Sequence, residues 1–113
     1  MFGALNLSEY QARSRATAVY PDAGSNLLYP TLGLCGEAGE VAEKIKKMIR
    51  DDAGELSVER QEALSKELGD VLWYLAQLAT ESGLDLDEIA ESNLAKLLSR
   101  QRRSVLSGSG DDR

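Results

Sequence analysis

Two long segments, about 27–50 and 58–82, each repeat apolar residues at helical spacing, and only the short stretch Asp51 to Leu56 separates them. A connection of about six residues makes two such helices antiparallel neighbours. An α-helix turns about 100° per residue. With Leu34 as zero, Leu34, Ala38, Val41, Ile45, Met48 and Ile49 fall in a stripe of roughly 100°, the width of a core-facing surface. Leu64, Leu68, Val71, Leu72, Leu75, Leu78 and Ala79 make the corresponding stripe of the second segment. The fold class is all-α.

Helical punctuation supplies the remaining elements. Ser8 and Gln11 have the spacing of a capping box, predicting a helix over 8–19 that Tyr20, Pro21 and Gly24 end. Asn26 is the expected cap of the second helix, with Pro30 in its first turn, and Ser57 that of the third, with Gly83 as its stop. Asp85 and Glu88 open a fourth helix over 86–102 that carries Leu86, Ile89, Leu94, Leu97 and Leu98. The residues from about 104, ending GSGDDR, read as a flexible tail. Without an internal repeat or a shift in composition, residues 1–113 are expected to form one domain, a four-helix bundle around the two long central helices.

Within the long segments, Glu37 and Glu40 stand one turn apart, as do Glu67 and Asp70. Both pairs fall at about 300° and 240° from the zero of their own stripe, so they occupy the same flank of their helices. Their midpoints lie roughly 17 Å along the axis on either side of the turn. The four carboxylates are therefore expected to face a common space at one level.

Ordinary solvated acids are the alternative, and these usually have Lys or Arg at i+4. Here Glu37 is followed by Val41, Glu67 by Val71 and Asp70 by Tyr74, while Glu40 has Lys44 and Lys66 lies four residues before Asp70. Acids crowded without partners repel strongly, which favours a bound cation. The chain has no histidine, removing imidazole bases and His-ligated zinc or di-iron sites. All-oxygen coordination favours Mg²⁺, with Mn²⁺ possible. Cys35 is expected to be a small packed residue and not a ligand.

Thirteen Lys and Arg against nineteen Asp and Glu give a net charge of −6, which argues against nucleic acid as a partner. The single cysteine cannot form an internal disulfide, and neither a leader nor a membrane-spanning run is legible. A soluble, cytoplasmic protein is expected.

The text GLCGEAGEVAEKIKK followed by KELGDVLWYLAQLA resembles the MazG-like nucleotide pyrophosphohydrolases of the all-α NTP pyrophosphatase superfamily, over about Leu32 to Arg100. The resemblance implies that Glu37, Glu40, Glu67 and Asp70 bind Mg²⁺ and carry catalysis. It also implies hydrolysis of a nucleoside triphosphate between the α and β phosphates, as nucleotide-pool house-cleaning. Gly36 stands where many MazG proteins have another glutamate, which places the chain nearer the short single-domain branch.

On the fourth helix Asn93, Lys96 and Arg100 share a face; in similar proteins the matching Asn and Lys lie at the substrate site, Lys on phosphate. The closing GSGDDR is similar to a tail in some MazG-like proteins that could bring Arg113 near phosphates. Trp73 lies about 180° from its helix's stripe, suggesting a second buried face at a subunit interface or against a nucleobase. The family's bundles imply a homodimer or homotetramer. The competing readings are a non-catalytic helical module that binds a nucleotide or a partner protein, and a phosphoribosyl-ATP pyrophosphohydrolase of the same fold.

Overall fold

In the computed structural model, which describes residues 3–103, four α-helices follow one another with no strand among the described residues. They are α1 (Leu7–Ser14), α2 (Leu28–Asp51), α3 (Val58–Glu81) and α4 (Leu86–Arg102), and a 3₁₀ turn (Arg15–Thr17) continues α1. None of the described helices is long and apolar enough to cross a membrane.

The helices begin where side chains can satisfy their first N–H groups. Ser57 accepts from the Arg60 N–H, and Asp85 from the Asp87 N–H at 2.9 Å. Asn26 caps α2 by accepting from the Tyr29 N–H at 3.0 Å, with Pro30 buried in the first turn. At α1 the expected capping box does not form. Asn6 takes the role by accepting from the Glu9 N–H, freeing Ser8 and Gln11 for tertiary bonds, and α1 stops at Ser14 instead of reaching 19.

Contacts between α2 and α3 run in opposite chain order. Arg60 reaches Asp52 at 2.7 Å, Lys44 lies 3.8 Å from Glu67, and Gly33 meets Tyr74. The two long helices are therefore an antiparallel hairpin.

Beyond α3 the chain reverses through Gly83, whose φ of +72° is a left-handed conformation that glycine adopts without strain. The Leu84 N–H then bonds back to the Ala79 carbonyl at 2.8 Å. Gln11 of α1 fastens this turn: its amide donates to Thr80 Oγ1 and the Leu84 carbonyl and accepts from the Leu86 N–H. Ser8 donates to Asp85 beside it.

The apolar centre is small. Tyr20, Ala76, Ala79 and Leu86 are the buried hydrophobic residues, with Tyr10 packed against them. Most of the two predicted stripes is only half-buried, and Ile49, Leu68 and Leu75 are exposed. Burial concentrates where α1 crosses the end of α3, because a third element covers the hairpin there. Cys35 is exposed, contrary to its expected packing, because among the described residues no element covers its face of α2.

Candidate metal centre

Helix phase and antiparallel pairing together bring Glu37 of α2 against Glu67 and Asp70 of α3. One carboxylate oxygen from each lies within 4.8 Å of the others, a group that could hold a metal ion. Glu37 and Glu67 are half-buried and Asp70 is exposed, so the group opens to solvent on one side. Three hard oxygen donors without nitrogen or thiolate suit a hard divalent cation.

The electrostatics are those of crowded acids. A hydrogen bond shared with Glu67, followed by burial and the charges of Asp70, Glu67 and Glu40, pushes the Glu37 carboxyl above its usual range. Crowded carboxylates hold a proton because they cannot all be charged together. A divalent cation would supply the same compensation and displace that proton.

Glu40 is the expected ligand that the structure leaves outside the group. It is exposed, one turn from Glu37 and further round the flank, where like charge favours a position in water. Its field still acts on Glu37. Lys44 pairs with Glu67 across the hairpin at 3.8 Å, and not with Glu40 along its own helix.

The fourth-helix residues divide. Asn93 and Lys96 line a cleft of about 430 Å³ with Leu84, Asp85, Glu88, Ile89 and Ser92, whereas Arg100 is buried. This cleft adjoins the α3–α4 turn, and Asp70 lies roughly 16 Å along α3 from that helix's last residue. The described residues do not unite the two groups. The GSGDDR tail and Arg113 lie outside the described residues.

A set of aromatic residues adjoins the acids. Tyr74 stands one turn beyond Asp70, and its ring lies over Gly33, one turn before Glu37. A Cβ on Gly33 would come within 2.1 Å of that ring, so the residue must be glycine for the ring to cross there. Burial, then Tyr29, Glu37 and Asp70, raise the Tyr74 hydroxyl above its usual range.

Trp73 packs edge-on against Tyr74 and Tyr20 and donates to Thr17 Oγ1 at 2.8 Å. The second buried face inferred for Trp73 exists, but this chain's own N-terminal segment contributes to covering it.

Sequence reasoning overlooked Gly33, Tyr74 and Glu81, although two of them leave signals. A glycine inside a helix costs about 1 kcal/mol relative to alanine, so Gly33 implied a close approach. Glu81 is an acid in the last turn of α3, where the helix dipole disfavours it and a partner is implied.

The model of the MazG nucleotide pyrophosphohydrolase domain matches residues 28–105, most of the chain and all three clustered carboxylates. The chain belongs to this family. A relative, described as Gene 37 protein of Mycobacterium phage L5, is 46% identical over 114 residues, covering 96% of this chain and 100% of the relative. No solved structure matches the chain.

Proposed function

We propose that this MazG chain is a Mg²⁺-dependent nucleoside triphosphate pyrophosphohydrolase that releases pyrophosphate and the nucleoside monophosphate. The observation that carries this reading is the meeting of Glu37, Glu67 and Asp70 within 4.8 Å, across two helices that the family model spans. Glu40 would join them when a cation offsets the repulsion that favours its position in water. Bound Mg²⁺, or Mn²⁺ in its place, would supply positive charge for the phosphate oxygens.

The chain's own groups do the rest. Hydrolysis between the α and β phosphates adds water to the α phosphorus and breaks its bond to the bridging oxygen, which leaves with pyrophosphate. With no histidine in the chain, a carboxylate of the cluster takes the proton of the attacking water. Lys44, beside Glu67, offsets part of the cluster's negative charge. Asn93 and Lys96, which line the α4 cleft, are assigned to the substrate, with Lys96 on phosphate, while the buried Arg100 is left to the packing of α4.

The half-exposed stripes of α2 and α3 favour a homodimer or homotetramer, since a single copy leaves large apolar side chains such as Leu68 uncovered. The cellular role is clearance of unwanted nucleotides in the cytoplasm.

Incubation with a panel of canonical and modified nucleoside triphosphates in Mg²⁺ tests the activity. Pyrophosphate release from at least one of them, lost in Asp70→Ala, is the expected result. Orthophosphate release would reassign the cleaved bond, and no release together with no thermal shift in Mg²⁺ or Mn²⁺ would favour a non-catalytic module.

A further inference from the structure

Glu81 lies eleven residues beyond Asp70 on α3, and its side chain is wholly sequestered from solvent. Its carboxylate gathers four donors from the segment between α1 and α2. Arg15 donates to it at 2.9 Å, the Gly24 N–H at 2.8 Å, the Asn26 N–H at 3.0 Å, and the Tyr20 hydroxyl completes the set. Arg15 also donates to the Tyr20 hydroxyl and to Gln77, itself fully buried, and Gln77 donates to Ser14.

Two routes lead from this latch to Tyr29. The Tyr20 ring stacks on the Tyr29 ring, with centroids 4.9 Å apart and planes 12° from parallel. Asn26, held by Glu81 through its N–H, accepts from the Tyr29 N–H. Tyr29 then meets Tyr74, centroids 6.4 Å apart, and Tyr74 rests on Gly33 one turn from Glu37.

We infer that Glu81 is a positioning residue for the carboxylate site, acting through Tyr20 and Tyr29 on the Tyr74 ring that spans α2 and α3 beside Glu37 and Asp70. This rests on the proposed reading of that site as a divalent-cation centre. The physical reason is that ligand geometry depends on the packing behind the ligands, and Tyr74 sets how α2 lies against α3 at that level. Gly33 permits the approach, and the Glu81 latch holds the rings that keep Tyr74 seated.

The test is Mn²⁺ titration of the whole protein followed by electron paramagnetic resonance, with fluorescence of Trp73, the single tryptophan, reporting the aromatic group. Glu81→Gln should raise the Mn²⁺ Kd by about tenfold, the lower end for residues behind a ligand shell. Tyr29→Leu, outside the latch and at a position 42% exposed, should have a similar effect. The double variant should be no worse than either alone, because both act through one path. Tyr20→Phe, which keeps the ring but removes the hydroxyl that ties it to Glu81, should raise the Kd by less than Glu81→Gln, since the Asn26 route remains, and Glu55→Gln in the exposed α2–α3 turn should stay near the parent.

A lowered melting temperature with an unchanged Mn²⁺ Kd in Glu81→Gln would overturn the inference and leave Glu81 a purely structural residue; so would additive effects in the double variant. Should Glu81→Gln fail to fold, Tyr29→Leu decides, since an unchanged Kd there breaks the path. If the parent protein binds no Mn²⁺, the cation reading falls and this inference with it. Parent binding with unaffected variants removes this inference alone.

Discussion

Glu81 and Glu37 are carboxylates on the two helices of one hairpin, and their surroundings are opposite. Glu81 receives two backbone N–H groups, a tyrosine hydroxyl and a guanidinium, and the tyrosine and backbone bonds above all hold its carboxyl at about 2. Glu37 faces Glu67 and Asp70, and their proximity pushes its carboxyl up. The latch carboxylate is surrounded by donors, whereas the cluster's acids face one another, with Lys44 at 3.8 Å from Glu67. That contrast separates an acid that holds the fold from acids grouped so that they could hold a cation.

The strongest way to break the contrast is to remove a cluster acid. Asp70→Ala or Glu37→Ala should lower pyrophosphate release by about 10³-fold, the scale of several kcal/mol of lost charge stabilisation. Without divalent cations the same variants should melt no lower than the parent, because repulsion has been relieved. A cluster variant that melts far below the parent without cations would show that these acids are structural.

Glu81→Ala should behave in the reverse way. It leaves the Arg15 guanidinium and two backbone N–H groups without their acceptor and should lower Tm by about 10 °C, followed by circular dichroism. Little change in Tm would show that the latch does not hold the fold.

Divalent cations should affect only the cluster. Mg²⁺ at a hundred times its Kd should add about 2.7 kcal/mol to the parent and much less to Asp70→Ala, measured by urea unfolding with and without Mg²⁺. Equal gains in both would place the cation elsewhere.

Gly33→Ala should cost about 1–3 kcal/mol from the collision with Tyr74, offset in part by the roughly 1 kcal/mol of helix propensity gained. Urea unfolding gives the net value. A net stabilisation would mean that the Tyr74 ring moves aside freely.

The finest discrimination is in pH. Glu81 has a lowered pKa, so its contribution is complete above the ordinary value of 4.5 and is lost as pH falls towards 2. Glu37 has a raised pKa, so its shared proton stabilises the metal-free protein below 4.5, and that contribution disappears as pH climbs past the raised value. Cation binding displaces this proton, so the thermal gain from Mg²⁺ should be larger at pH 8 than at pH 5. A gain independent of pH would remove Glu37 from the cation site.

Much of this architecture could be read in the residues. Ser57 and Asp85 cap the helices as expected, Asn26 caps α2 from one residue further out, and the flank shared by Glu37, Glu67 and Asp70 follows from helical phase alone. Those features are local, or depend on one short turn. Ser8 and Gln11 misled because the same side chains can bond locally or across the fold, and here they bond to Asp85 and the α3–α4 turn. The position of Glu40 outside the cluster and the cover that Thr17 and Tyr20 give Trp73 were not legible for a related reason: phase fixes the direction of a side chain but not what fills the space it faces.

The all-α class, the hairpin and the membership in the MazG family are written in the residues themselves, because helical periodicity, caps and a short connection act over a few residues. Which acid is held by the fold depends on contacts made across the folded chain. Glu81 and Glu37 are the same residue type on neighbouring helices, and the donors that distinguish them come from Arg15, Tyr20, Gly24 and Asn26, more than fifty residues away in the chain. A carboxylate's charge state depends on what surrounds it in space, and that is settled only when the chain closes on itself.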